Sequence, residues 1–506
     1  MFASLLGRVG SLLLLFAVAQ PLQSQRLRAE FSPLANFAYQ LDCVSGARSQ
    51  RSCAGADDFR ALWKRDFGID AQTSPDVKRC AALRKEYAAI TSGDGPSDPG
   101  WMYGQINFDD RILIATFAAK DAADYRSRLT LLLPDHMAPE AGAIVLSLYP
   151  VFEKWWKRQG AALGKGASQS MIAALQSPSI KRQVNELFAF YGSPSAARAP
   201  HTVYLMLRPG LADNGLSSGG NFGATSLVEF FSNTESRGQT PVIVHEYSHY
   251  VFGVIPKEQG VALRNSVIKA GGEIGLPACG LLDGAFATAI GNGRVSRSLL
   301  EPAAYEKFAA HDLSFYNVTN IDLGGKAVLP LVDAFVASKR TIFDAAFPEA
   351  YAAALREKVA AALNKPAAFF ADYSLVVDSA LGEGPEGGAP FASEFQSTSR
   401  NMSVVRCCDA DFKQAVQKAA IGTGVIAVLS SNFDKLANVL RLSDDKQAAV
   451  GAARSEPDAV GALLVSREAG SPPIMLAVVN DAAALSRAAK LLAAMPALKS
   501  GVVSVK

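Results

Sequence analysis

Residues 242–252 read Val-Ile-Val-His-Glu-Tyr-Ser-His-Tyr-Val-Phe, an apolar run that carries two histidines and a glutamate. On an α-helix, residues four apart lie above one another on one face, so His245 and His249 can converge on a single metal ion. Glu246 is rotated by about 100° around the helix, where its carboxylate can reach a water molecule on that ion without binding the ion itself. The His-Glu-x-x-His spacing therefore predicts a zinc site with Glu246 as general base.

The context of this motif favours a helix. Thr240 is predicted as the N-cap, Pro241 as the first helical residue and Gly253 as the end of the last turn. The chain has only five histidines in 506 residues, so a chance match to this pattern is rare. A buried helix whose histidines are satisfied by hydrogen bonds is the alternative, although burying these polar groups without a task costs free energy.

The N-terminus has the pattern of an export signal. Arg8 precedes an apolar stretch from Val9 to Ala19, which ends in the cleavage pattern Ala17-Val18-Ala19. This stretch is shorter than the ~20 residues that span a bilayer, and no later segment is expected to be long and apolar enough to cross a membrane. We therefore expect residues 1–19 to be removed from a secreted or periplasmic protein. An uncleaved anchor or a buried first helix is the alternative.

Charge and composition exclude several classes of protein. The net charge is only +3 over 506 residues, which gives no support for a nucleic acid or an anionic membrane surface as partner. The hydrophobic content of 49% and the charged content of 19% are those of a folded globular protein, not a disordered one. A chain of this length can form two or three domains with substantial cores.

Export permits disulfide bonds, and the chain contains six cysteines. Cys43 and Cys53 flank a short polar loop and are predicted to form one bridge. Cys407 and Cys408 are adjacent and are expected to pair with other cysteines. No Cys-x-x-Cys spacing occurs, so a cysteine-based metal site is not expected.

The residues before the motif add a resemblance to a known superfamily. His201–Leu207 and Thr225–Phe231 are rich in strand formers, the glycine-rich stretch Gly219–Ala224 lies between them, and the motif helix follows. With a later helix that bears an acidic residue, this order resembles the gluzincin zinc metallopeptidases, such as thermolysin and the aminopeptidase N-like enzymes, over roughly residues 200–310. The resemblance implies a mainly helical domain with a small β-sheet, a Zn²⁺ cofactor and a peptide or protein substrate.

The role of the two predicted strands stays open. They can form an exposed sheet edge, which would let an extended substrate pair its backbone with the enzyme. They can equally form a small hairpin that only covers the core. The sequence does not decide between these arrangements.

The resemblance also implies a third zinc ligand on a second helix, which is predicted over Ala278–Ile290. Gluzincins place a glutamate there, but the matching position is Gly284, which cannot bind zinc. The neighbouring Asp283 is the first candidate for this ligand and Glu273 is the second. A site without any protein carboxylate ligand is the third possibility, and it would make the chain a catalytically inactive binding or scaffold protein.

Two further features of metallopeptidases, the metzincin pattern and an oxyanion-stabilising residue, are not clearly present in the sequence. The metzincin pattern fails because Phe252 and Ile255 stand where it requires a glycine and a third histidine. A gluzincin also uses a tyrosine or histidine to stabilise the oxyanion. His311, Tyr305 and Tyr316 are candidates for that role, although a structural role is expected for each.

Composition and predicted secondary structure divide the chain into five segments. After the leader, residues 20–199 form a predicted helical region, and 200–365 form the gluzincin-like domain. Residues 366–421 are predicted as a linker and loop region. The tail, 422–506, shows the order βαββαβ and predicts a ferredoxin-like α+β domain.

Overall fold

The chain is mainly helical and contains two mixed β-sheets, in agreement with the coarse fold class expected from the sequence. The described residues form two compact units, the first within 1–91, 107–188 and 193–254 and the second within the rest of the chain. The predicted leader and Cys408 lie outside the described residues. The computed structural model describes residues 27–46, 53, 56–91, 108–192, 201–208, 219–222, 225–234, 236–370, 372–378, 381, 389–395, 401–407, 423–467 and 473–506.

As far as Gly253, the described residues form a four-stranded sheet and a set of helices. The strands are β1 (Leu27–Glu30), β2 (His201–Arg208), β3 (Gly219–Phe222) and β4 (Thr225–Phe231). The helices are α1 (Pro33–Val44), α2 (Ala56–Leu62), α3 (Pro75–Thr91), α4 (Phe108–Ala118), α5 (Ala122–Leu132), α6 (Ala138–Trp155), α7 (Ala161–Leu175), α8 (Pro178–Tyr191) and α9 (Ser236–Gly253), with π-helical segments at Trp63–Phe67 and Trp156–Gly160.

The order of strands in the first sheet is β1-β2-β4-β3. Strands β1, β2 and β4 run parallel, whereas β3 pairs antiparallel with β4 and forms an edge of the sheet. The hairpin considered from the sequence for β2 and β4 is therefore wrong, because parallel neighbours cannot be joined by a tight turn. The glycine-rich stretch supplies an edge strand at residues 219–222, so a sheet edge is what these residues form.

Helix α1 completes the pairing of β2 beyond the end of β1. The side-chain amide of Asn36 donates to the carbonyl of Leu205 at 2.9 Å, and its oxygen accepts from the amide of Leu207 at 2.7 Å. Strand β1 ends at Glu30, opposite Tyr204. The buried side chain of Asn36 therefore satisfies backbone groups that would otherwise lose their partners.

The core of the first unit is rich in aromatic rings, including the fully buried Phe37, Trp63 and Phe152. The predicted disulfide is present and joins Cys43, near the end of α1, to Cys53, with 5.7 Å between the Cα atoms. It links the C-terminal end of α1 to the residue that precedes α2 by three positions, at the edge of the aromatic core.

The second unit contains a helical part followed by a six-stranded sheet. Its strands are β5 (Asp372–Asp378), β6 (Asn401–Cys407), β7 (Thr423–Leu429), β8 (Gly461–Ser466), β9 (Ile474–Val479) and β10 (Gly501–Val505). Its helices are α10 (Lys257–Gly271), α11 (Gly275–Ala287), α12 (Ser296–Leu299), α13 (Pro302–Ala310), α14 (Thr319–Ala337), α15 (Phe347–Lys358), α16 (Ala360–Leu363), α17 (Pro366–Phe369), α18 (Ala389–Phe395), α19 (Phe433–Leu440), α20 (Asp444–Arg454) and α21 (Ala482–Ala494), with a π-helical segment at Thr288–Val295.

The predicted end of the second helix at Ile290 is wrong, because the helix continues through Gly291–Gly293 in π-helical form to Val295. The glycines allow close packing here. A Cβ on Gly293 would lie 3.1 Å from side-chain atoms of Leu329 and Phe315. Tertiary contact with α14 therefore overrides the usual tendency of glycine to end a helix.

One helical run, Lys257–Leu299, contains an 18-residue window whose mean hydropathy of 1.4 would suffice to cross a membrane. The expectation that no segment after the leader would reach this apolarity is therefore wrong for this run. Of that window, 83% is buried inside the protein, as in a helix that forms part of a core.

The C-terminal sheet departs from the ferredoxin-like arrangement predicted for the tail. Its strand order is β10-β8-β9-β7-β5-β6. A ferredoxin-like sheet would place the last strand beside the first strand of the tail, which is β7, but β10 pairs with β8 and β5 takes the place beside β7. Strands β5 and β6 come from 366–421, the stretch predicted as linker and loop, so this stretch contributes to the sheet.

Side chains alternate between two apolar cores along these strands. In β9, for example, Leu476 and Val478 face α19 and α20, whereas Met475, Ala477 and Val479 face α18 and α21. Strands buried on both faces are expected to read as continuous apolar runs. The sequence of β9, Ile-Met-Leu-Ala-Val-Val, has that character.

Arg467, next to β8, ties the C-terminal sheet to the helical part of the second unit. Its guanidinium donates to the carbonyl of Leu498 at 2.7 Å and to the side chain of Asn364 at 3.0 Å. It also donates to the carbonyl of Glu273 and lies 4.8 Å from the centre of the Phe369 ring. Burial lowers the pKa of Arg467, although the guanidinium stays charged.

Candidate metal and base site

Helix α9 carries the His-Glu-x-x-His motif, and one of its two ends agrees with the prediction from the sequence. The helix ends at Gly253, as predicted, but it begins at Ser236, before the expected N-cap at Thr240. Pro241 lies inside the helix, because the fixed φ of proline is helical and the helix can pass through it with the loss of one backbone hydrogen bond.

The two histidines point towards each other. Their Nε2 atoms lie 3.0 Å apart, and their ring centres lie 4.7 Å apart with planes at 79°. His245 is almost fully buried, with 3% of its surface exposed, whereas His249 is half-buried. The predicted convergence of the two imidazoles on one point is therefore present.

This spacing fits a shared ion. Two imidazole nitrogens bound to one tetrahedral zinc at about 2.0–2.1 Å would lie roughly 3.3 Å apart, close to the separation seen here. The same 3.0 Å distance also suits a direct hydrogen bond in which one neutral ring donates to the other. A shared ion requires both Nε2 atoms to be unprotonated, whereas the hydrogen bond requires a proton on one of them. The protonation of the two rings therefore decides between these states.

The candidate base Glu246 lies against the edge strand β3 and is 7% exposed. A Cβ placed on Gly219 would lie only 2.2 Å from Oε1 of Glu246, so the carboxylate is packed directly against the backbone of β3. Asn221, two residues along the same strand, donates from Nδ2 to the backbone carbonyl of Glu246 at 3.1 Å. Strand β3 therefore contacts both the side chain and the main chain of Glu246.

A buried polar network lies behind this contact, on strands β2 and β4. The Nδ2 atom of Asn221 also lies 3.0 Å from Oγ of Ser226, and Nε2 of His201 lies 2.8 Å from the same hydroxyl. Burial lowers the pKa of His201 to about 3, so its ring is neutral at physiological pH. The ring of His201 contacts those of Tyr247 and Tyr250 on α9, with centres 5.2 and 4.5 Å away.

The opposite face of β4 holds a second buried polar pair. Tyr39 of α1 donates its hydroxyl to Glu229 at 2.6 Å, and both residues are fully buried. Sequence reasoning identified neither this pair nor the roles of His201, Ser226 and Asn221. One signal was available, since a glutamate in the middle of the apolar strand Thr225–Phe231 is costly to bury without a partner.

The two candidates for the third ligand belong to the second unit. Asp283 is half-buried on α11, and Glu273 is exposed in the short turn that precedes this helix. No group of three or more His, Cys, Asp or Glu side chains placed to hold a metal occurs among the described residues. The third ligand therefore stays a prediction.

The three candidates for oxyanion stabilisation also belong to the second unit. Tyr305 packs near Phe308 and Phe315, with ring centres 6.4 and 6.5 Å away, and burial raises the pKa of its hydroxyl. His311 is exposed, and Tyr316 is half-buried. The contacts of Tyr305 are those of a structural aromatic cluster, and a catalytic role for any of the three stays a prediction.

No protein-family model, curated protein or solved structure matches this chain. The gluzincin resemblance therefore depends on the motif and its neighbouring elements alone. The chemistry of the protein has to be inferred from the geometry of its own side chains.

Proposed function

We propose that this protein is an exported zinc-dependent metallopeptidase of the gluzincin type. The observation that carries the proposal is the convergence of the Nε2 atoms of His245 and His249 to 3.0 Å on one face of α9, with the carboxylate of Glu246 on the adjoining face. Two histidine ligands with a glutamate base beside them are the arrangement expected of a zinc hydrolase.

His245 and His249 would hold the ion, and Asp283 is proposed as the third ligand. Bound zinc would polarise the scissile carbonyl and lower the pKa of a water molecule. Glu246 would accept the proton of that water and deliver it to the leaving amine, which is general acid–base catalysis by one carboxylate. The contacts with β3 support this role, because they fix the position from which the carboxylate acts.

The edge strand β3 suggests how a substrate would bind. Among the described residues, β3 pairs with β4 on one side, and no strand pairs with its outer side. An extended peptide could add to this edge through main-chain hydrogen bonds, next to Glu246. A peptide or protein substrate is therefore the class that this site fits best.

The proposed location outside the cytoplasm rests on the apolar N-terminal sequence and on the disulfide between Cys43 and Cys53. Disulfides persist mainly in oxidising compartments. Both observations support a periplasmic or secreted protein.

The proposal is tested by zinc analysis and peptide hydrolysis on the purified full chain. We expect close to one zinc per chain and cleavage of an internally quenched peptide library. Glu246→Gln should retain the metal and lose turnover by about 10³-fold, because it removes only the base. His249→Ala should lose the metal as well. A wild-type chain that takes up no zinc at neutral pH, or a Glu246→Gln variant that cleaves as fast as wild type, would overturn the proposal.

A second candidate function is a non-catalytic binding or scaffold protein on the same fold. The short contact between the two imidazoles favours it, because a direct hydrogen bond between the two Nε2 atoms would satisfy both atoms without a metal. Gly284, where a gluzincin would carry its glutamate ligand, points in the same direction. The zinc analysis separates the two functions, since the scaffold would contain no zinc after zinc has been supplied.

A further inference from the structure

We propose that Gly219 is a positioning residue for Glu246, and that strand β3 acts as a wall that fixes the carboxylate in place. This inference rests on the proposed function for its catalytic consequence. The steric contact between Gly219 and Glu246 can itself be tested without measuring enzymatic activity. It assigns a role to a glycine for which the sequence pattern suggested only a turn.

The first observation is the absence of room for a side chain at Gly219. A Cβ there would lie 2.2 Å from Oε1, 2.7 Å from Cδ and 3.0 Å from Cγ of Glu246. Carbon atoms do not approach other heavy atoms this closely without displacement. The end of the Glu246 side chain therefore fills the space that any other residue at position 219 would need.

The second observation is that the same strand also holds the main chain of Glu246. Gly219 and Asn221 are two residues apart on β3, so they face the same side of the sheet. Asn221 donates to the carbonyl of Glu246 at 3.1 Å and contacts the hydroxyl of Ser226 at 3.0 Å. One strand thus constrains the backbone of the base through Asn221 and its carboxylate through Gly219.

The third observation is that β3 is itself anchored to the interior of the sheet. Ser226, opposite Asn221 in the antiparallel register, is bound by the buried and neutral His201 at 2.8 Å. The anchoring runs from β2 through β4 to β3. A network of this kind holds a functional group in one position more firmly than a single contact does.

The consequence is a requirement for glycine at this position. A methyl group at 219 would push the carboxylate of Glu246 away from β3, or push β3 away from α9. A displacement of ~1 Å at a catalytic group costs about 10²-fold in rate. We therefore expect Gly219→Ala to lower kcat strongly while zinc content and KM change little.

The contact is tested first by a thermal double-mutant cycle on the full chain. Gly219→Ala should lower the midpoint of unfolding by roughly 1–3 °C, the shift that about 1–3 kcal/mol of overpacking gives in a protein of this length. In a Glu246→Ala background the colliding atoms are absent, so the same substitution should shift the midpoint little. Gly238→Ala is the matched control, because it lies on α9 in open space, with no atom within 4 Å of the added Cβ.

Turnover of the peptide library by zinc-loaded protein is the second measurement. Gly219→Ala should lose about 10²-fold in kcat, whereas Gly238→Ala should retain the wild-type rate. Equal midpoint shifts for Gly219→Ala in both backgrounds, or full turnover by that variant, would overturn the positioning role alone. A wild-type chain that hydrolyses no peptide would refute the peptidase function, while the thermal cycle would still report the contact.

Discussion

The two β-sheets of this protein bury different kinds of side chain. Strands β5 and β7 to β10 present apolar residues to two cores, and among the side chains that the structure describes in these strands Asp378 is the one buried polar group. Its carboxylate accepts hydrogen bonds from Leu429 and Asn432 at the end of the sheet. The first sheet, in contrast, buries polar residues along the whole length of β2 and β4: His201, Thr202, Arg208, Ser226 and Glu229.

This difference is the one expected if the second sheet only supports the fold and the first also supports the proposed site. Burying polar groups costs free energy unless each finds a partner, so a sheet that only supports the fold has no need of them. In the first sheet, the network of His201 and Ser226 leads to Asn221 and from there to Glu246. The burial of His201 and Ser226 is therefore explained by the group that they hold in place, whereas Glu229 bonds to Tyr39 on the opposite face.

The largest stability effect is expected in the apolar sheet. Leu476 is fully buried in the core beneath α19 and α20, and Leu476→Ala should lower the free energy of unfolding by about 3 kcal/mol through the cavity that it leaves. Ser226→Ala in the first sheet should cost about 1 kcal/mol but should reduce peptide turnover, which Leu476→Ala should not. Urea unfolding and a hydrolysis assay on both variants measure this contrast. A Ser226→Ala variant with normal turnover would contradict the idea that the polar network of the first sheet supports Glu246.

Acid should weaken the first sheet through His201. Its pKa is lowered to about 3 in the folded protein, below the value in an unfolded chain, so the unfolded state binds the proton more readily between these values. Stability is therefore complete above a pH of ~6.5 and falls as the pH decreases, by about 2 kcal/mol on reaching pH 5. Urea unfolding at pH 7 and pH 5 tests this, and His201→Gln should remove that share of the pH dependence. An unchanged pH dependence in the variant would contradict the assignment.

Two buried tyrosines, one in each unit, allow a direct comparison in which the smallest difference in stability is expected. Tyr39 donates to the buried carboxylate of Glu229 at 2.6 Å, whereas Tyr351 in the second unit donates to the backbone carbonyl of Ala278 at 2.9 Å. Hydrogen bonds to charged groups are about twice as strong as neutral ones. Tyr39→Phe should therefore cost about 2 kcal/mol of unfolding free energy and Tyr351→Phe about 1. Equal costs in chemical denaturation would contradict the expected difference between a carboxylate and a carbonyl acceptor.

Several elements of the fold could be predicted because their signals are local. Strand β4 and the strands of the tail follow from runs of strand-forming residues, and α9 follows from its apolar character and its end at Gly253. The bridge between Cys43 and Cys53 follows from their short separation. In each of these cases, neighbouring residues contain the information.

Other elements could not be predicted, because distant contacts decide them. Gly219-Gly220-Asn221 has the composition of a turn, yet it forms a strand because β4 offers it backbone partners. Gly291–Gly293 has the composition of a helix end, yet the helix continues because α14 packs against it. The order of strands in the C-terminal sheet depends on β5 and β6, whose sequences lie in a stretch rich in loop-forming residues.

The spacing of His245, Glu246 and His249 was determined by the sequence alone, since helical periodicity brings residues four apart together wherever such a helix forms. Three features were decided only by tertiary structure: the contact of β3 with the carboxylate of Glu246, the hydrogen bond from Asn221 to the carbonyl of Glu246, and the burial of the neutral His201. The contacts of His201 with Ser226, of Asn221 with Glu246 and of Gly219 with Glu246 join residues 25 to 27 positions apart, and such long-range contacts leave no periodic trace in the chain.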